Sequence, residues 1–133
     1  MKNESKKIMS EISAGELLDK ISILEIKLKK IKNIESLKEI NKEYNILKKV
    51  QDSNIILNDE IKVLYNQIKN VNENLWDIED KLRVSEKDKK FDQFFIELAR
   101  NVYFNNDKRS KIKKQINNLL GSNIKEIKEY VDY

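Results

Sequence analysis

Apolar residues between Leu57 and Leu82 recur at alternating spacings of four and three: Leu57, Ile61, Leu64, Ile68, Val71, Leu75, Ile78 and Leu82. That rhythm places them on one stripe of a helix. It predicts an α-helix of roughly 30 residues, about 45 Å long at 1.5 Å per residue. Such a seam is coiled-coil-like and requires an apolar partner along its length. The polar run Ser85-Glu86-Lys87-Asp88-Lys89-Lys90 suits a helix-hairpin loop. Beyond it a second seam reads Phe91, Phe95, Leu98, Val102, Asn105, Arg109, Ile112, Ile116 and Leu119, with Gly121 as the terminating C′ glycine.

The N-terminal half carries two shorter stripes. Residues 1–12 show no periodicity and are expected to form a flexible tail, leaving 13–133 as a single helical domain. Ser13-Ala14-Gly15-Glu16 fits a capping box, in which the Ser13 hydroxyl accepts an amide bond and the Glu16 carboxylate reaches back. Leu17, Ile21, Leu24, Leu28 and Ile31 follow on one face. Ile23 and Ile26 widen that face, which predicts contact with two neighbours. After Asn33 the phase slips to Ile34, Leu37, Ile40, Tyr44, Leu47 and Val50, which suits either a second helix over about 34–52 or a kinked continuation. Asp52-Ser53-Asn54 ends this stretch. Ser122 to Tyr133 suits a short amphipathic helix on Ile124, Ile127 and Val131, or a tail.

Composition supports helices throughout. The chain has no proline and only two glycines, so it cannot supply the frequent turns of a strand-based fold. The expected fold is all-α: an elongated antiparallel bundle of three or four long helices. With no cysteine and no histidine, disulfides, thiol nucleophiles, imidazole chemistry and the usual zinc sites are excluded. Any catalysis would fall to Asp, Glu, Lys, Ser or Tyr, or to a hard metal on oxygen ligands. No apolar run is long enough for a membrane span or signal peptide, so a cytoplasmic protein is expected. The net charge of +4 comes mostly from lysines alternating with acids. This is the pattern of a solvated helix surface and speaks against a nucleic-acid partner.

Folding the long pair about residues 86–90 sets Leu82 near Phe94 or Phe95, Ile78 near Leu98, Val71 near Asn105 and Ile68 near Arg109. Trp76, Glu79, Asp80 and Arg83 then lie alongside Glu97, Arg100 and Tyr103. Glu79 and Arg83 form an i,i+4 pair, and Asp80 is expected to reach Arg100. The polar seam residues Asn105 and Arg109 admit three readings: a helix break at 105–107, a buried pair that fixes register, or a polar pocket in the bundle. These nine residues are the candidate ligand site, with Arg83, Arg100 and Arg109 holding an anion and Glu79, Asp80 and Glu97 positioning a metal or acting as base. A weaker alternative places Mg²⁺ on Glu16, Asp19, Glu79 and Asp80: all-helical nucleotide pyrophosphatases use acids three apart on paired helices, Glu16 and Asp19 give one such pair, and Asp77-Ile78-Glu79-Asp80 loosely gives another. The separation of the two pairs is too long for that family, and no cofactor is expected otherwise.

Four stretches taken together, Ser13 to Lys27, Leu75 to Asp80, Phe94 to Asp107 and Leu119 to Ser122, resemble a family of short, functionally uncharacterised proteins of bacteria, marine ones among them, and large viruses. The resemblance implies a stand-alone small protein and brings no activity or site residue with it. The leading expectation is a non-catalytic interaction or scaffold module with a protein partner or a second copy. The competing one is a binding protein or Mg-dependent enzyme for a phosphorylated or anionic small molecule.

Overall fold

The computed structural model describes residues 6–133. It contains four helices: α1 (Ala14–Lys30), α2 (Ile34–Asn54), α3 (Asp59–Asp88) and α4 (Gln93–Leu120). Among the described residues there is no strand, and the all-α antiparallel bundle is as the patterning predicts. The first five residues of the expected tail lie outside the described stretch. Residues 6–12 carry no helix.

The second stripe is a separate helix. Ile31 leaves the helical region at φ −83°, ψ 137°, and Asn33 caps α2 by accepting from the Ser36 amide at 2.9 Å. Asn58 caps α3 in the same way through the Ile61 amide, and Asp92 caps α4 through Phe95. Polar side chains therefore start each of these helices in a chain that has no proline.

Two boundaries differ from expectation. α3 continues through Asp88 and closes at Lys89, whose φ of 55° is left-handed without a glycine. The hairpin loop is thus 89–92 rather than 86–90, and Phe91 falls in it, exposed, instead of on the seam. The capping box is only half formed. Ser13 Oγ accepts from the Glu16 amide at 3.2 Å, but the Glu16 carboxylate goes to Lys113.

α1 is the hub. It packs on α2, α3 and α4, three neighbours where two were expected, whereas α2 packs on α1 alone. The core therefore lies between α1, α3 and α4, on Leu18, Ile61, Ile68, Val71, Ile112 and Ile116. Gln51 is the only buried residue of α2. Ile78 and Leu82 of the long seam are half-buried, and Leu119 is exposed.

The start of α1 abuts the end of α4. Gly15 donates its amide to Asn117 Oδ1 at 2.6 Å, and Ala14 donates to Ser122 Oγ at 3.1 Å. With Ser13 serving Glu16, the amides of the first turn all find partners. Gly121 is left-handed at φ 61°, as its C′ position predicts. The chain beyond it is no helix. Residues 122–133 return along α4 as a strap, because so short a segment has no helical stability of its own. Tyr133 ends the strap against Tyr103 and Phe104, with ring centroids 5.3 and 5.4 Å away.

A Cβ on Gly15 would sit 2.6 Å from the Lys113 carbonyl oxygen and 3.0 Å from Asn117 Oδ1. Backbone cannot yield as a side-chain tip does. Gly15→Ala should therefore cost about 1–3 kcal/mol in urea unfolding, the usual range for overpacking.

Candidate functional site

Helix α1 turns two acids three residues apart, Glu16 and Asp19, towards α4, which answers with Arg109 and Lys113. Asp19 is fully buried. Its carboxylate accepts from Arg109 Nε at 3.0 Å to each oxygen and from Arg109 Nη2 at 2.5 Å. Asn72 of α3 donates through Nδ2 to Asp19 Oδ1 and to Ser22 Oγ, both at 2.8 Å. Ser22 in turn donates to the Asp19 carbonyl. One carboxylate thus ties three helices together, and charge-assisted bonds of this kind are roughly twice as strong as neutral ones.

Lys113 forms a second knot beside it. Its Nζ lies 2.6 Å from Glu16 Oε2, 3.0 Å from Glu126 Oε2 on the strap and 3.8 Å from Asp19 Oδ2. Burial, the largest single influence, pushes the ammonium down, but the bonds to Glu16 and Glu126 outweigh it and the net shift is upward. The Arg109 guanidinium is raised by its bond to Asp19. Glu126 is held below its ordinary value by Lys113.

Next to the first knot lies an open cleft of about 610 Å³, lined by Ile23 and Ile26 of α1, by Asn72, Leu75, Trp76, Glu79, Asp80 and Arg83 of α3, and by Arg109 of α4. It gathers five of the expected site residues: Trp76, Glu79, Asp80, Arg83 and Arg109. Glu97, Arg100, Tyr103 and Asn105 are not part of it. The Glu79–Arg83 pair forms, at 4.0 Å. The Asp80–Arg100 pair does not. Arg100 lies 5.5 Å over the Phe104 ring, and Asp80 has no ion pair among the described residues. The two side chains take different faces: Asp80 borders the cleft and Arg100 does not. Moving the loop from 86–90 to 89–92 slides the facing positions by about one turn, so Arg109 stands level with Asn72 to Trp76 rather than with Ile68.

The three readings of Asn105 and Arg109 now separate. α4 runs unbroken from Gln93 to Leu120, which removes the helix break. Asn105 is buried and satisfies its own amide on the Asn101 carbonyl at 2.8 Å. Arg109 pairs with a buried acid and also borders the cleft, so it joins the register role to the polar pocket.

The weaker Mg²⁺ alternative, Glu16 and Asp19 with Glu79 and Asp80, is not gathered into one cluster among the described residues. Among the described residues no group of three or more Asp or Glu is placed to hold a metal. Where Glu16, Asp19 and Glu126 converge, the Lys113 ammonium stands in the position a cation would take. Patterning missed Asn72, Ser22, Lys113 and Glu126. One signal was present: acids three apart on the apolar side of α1 match bases four apart in α4.

The fold and its ionic knots define a small all-α helical-bundle protein with a charged core. The chain belongs to a family of unknown function, DUF6165, whose model matches residues 8–132. No curated protein and no solved structure matches it.

Two outcomes follow from the knots. Breaking a buried ion pair costs about 3–5 kcal/mol when one charge is stranded. Arg109→Met strands the fully buried Asp19, whereas Asp19→Asn strands a guanidinium with partial solvent access. Denaturant melts should therefore show Arg109→Met as the more damaging change, with Asp19→Asn near the lower end of that range. The strap responds to acid. Glu126 has a depressed pKa, so its contribution is present above the ordinary value of 4.5 and is lost as pH falls through the lower folded value. NMR should show the strap loosening around Glu126 below pH 4.5 in the native protein, with Glu126→Gln giving the same local change at neutral pH.

Proposed function

We propose that this protein is a non-catalytic cytoplasmic interaction module that associates with a second copy of itself. The observation that carries this reading is the bare end of the α3–α4 hairpin. Lys30, at the end of α1, pairs with Asp77, so the last turns of α3 and the first turns of α4 extend beyond the hub helix. There Val84, Phe91, Phe94 and Ile96 are about half exposed, at 57%, 53%, 57% and 48%. Phe91 also meets Phe95 edge-on at 5.2 Å, which groups two of the aromatic rings at this end. Clustered aromatics on a surface mark an interaction site more often than scattered ones do. A hairpin end presented by two copies makes a self-complementary contact. The ionic groups inside the bundle favour this over catalysis, because Asp19, Glu16 and Lys113 are consumed by pairing with one another.

The competing reading, a binding protein or Mg-dependent enzyme for an anionic molecule, draws on the cleft beside Trp76. Glu79 and Asp80 border that cleft and oppose a phosphate there.

Sedimentation velocity over a wide concentration range tests the leading reading. The native chain should move from monomer to dimer mass. Phe94→Ser and Phe91→Ser should each weaken the dimer by at least about tenfold, or about 1.4 kcal/mol, with unchanged circular dichroism. A native chain that stays monomeric at the highest concentration would remove the proposal.

A further inference from the structure

The cleft floor carries two polar valences that the fold leaves unused. An arginine has five N–H donors; Arg109 commits Nε and Nη2 to Asp19, and Nη1 makes no hydrogen bond among the described residues. Asn72 commits Nδ2 to Asp19 and Ser22, and its Oδ1 accepts nothing. Buried side-chain atoms without a partner are confined, among the described residues, to Gln51 Oε1 and the Tyr65 hydroxyl. Arg109 Nη1 and Asn72 Oδ1 are therefore reachable from the cleft that both residues line. Both residues are fixed by the same Asp19 carboxylate and both line the same cleft.

Around this pair the walls are Ile23, Ile26, Leu75 and the half-buried Trp76 indole. The volume of about 610 Å³ lies within the range of small-molecule sites. Charge narrows the class. Arg83 and Arg109 contribute two positive charges, and Glu79, Asp80 and the Asp19 that neutralises Arg109 contribute three negative ones. A phosphate would meet a net negative surrounding.

We infer that the cleft binds an uncharged planar heterocycle of the nucleobase or nucleoside class. A ring carbonyl accepts from Arg109 Nη1, the adjacent ring N–H donates to Asn72 Oδ1, and the ring face packs on Trp76. Base–aromatic stacking tolerates many rings, while a donor–acceptor pair that the ligand covers rejects an analogue that leaves either group unmatched.

Trp76 is the only tryptophan in the chain, so its fluorescence reports on this cleft directly. The intact protein is titrated with uridine and inosine, exciting at the red edge of the indole band, with calorimetry as a second readout. Saturable quenching is expected with at least one of the two nucleosides. The same nucleoside methylated on its ring N–H should bind at least about tenfold more weakly, the effect of one unmatched buried acceptor. Its monophosphate should bind several-fold more weakly than the nucleoside, and the gap should close in Asp80→Asn, an exposed position outside the core. Failure of both nucleosides to bind, or equal binding of the methylated analogue, would overturn the inference. Tighter binding of the monophosphate or of a single-stranded oligonucleotide would overturn it too, by making phosphate the recognised group.

Discussion

The constraint from which the rest of this structure follows is the burial of one carboxylate. Asp19 has no contact with solvent, and an isolated carboxylate in that position would be costly beyond what a small domain can tolerate. It must therefore meet Arg109 and Asn72 whenever the chain is folded, and this leaves α1 a single docking position against α3 and α4. Apolar seams alone are less exacting. A 4-3 stripe looks nearly the same after a slide of one turn, so hydrophobic contact allows neighbouring registers that the carboxylate does not. Buried polar residues acting as register devices have precedent in coiled coils.

Close approach and charge act together at the start of α1. Gly15 lets the helix end come against the Lys113 backbone, and that approach brings Glu16 within 2.6 Å of the Lys113 ammonium. Lys113 then holds Glu126, so the strap is fastened to the same point as the hub helix. Its far end is anchored by aromatic contacts and by the Tyr133 hydroxyl donating to Asp107. That bond, with some help from burial, pushes the Tyr133 phenol up to about 12. α2 stands outside this arrangement. Packed on α1 alone and with one buried residue, it is the element whose loss would disturb the core least.

Much of the architecture was legible because helices announce themselves locally. The stripes of α1, α3 and α4, the separate phase of α2 and the C′ glycine at Gly121 all depend on residues within a few turns of each other. Harder to see was the end of α3. Lys89 takes a left-handed conformation that ordinarily signals glycine, and a polar run gives no mark of where within it a helix stops. That small uncertainty in the loop grew into a turn of register along the hairpin. It set Arg109 beside Trp76, Glu79, Asp80 and Arg83 at one cleft, while Arg100, outside that cleft, lies over Phe104 instead of beside Asp80.

By itself, then, the order of residues determined that the chain is helical and which faces are apolar, since both are set by short-range sterics and periodicity. Tertiary structure alone decided which charges are buried and with whom. Asp19 and Arg109 are 90 positions apart, and nothing local distinguishes them from the many acids and bases on the solvated faces. Their partnership exists only because three helices converge there, where a low-dielectric interior turns an ordinary surface pair into a requirement of the fold.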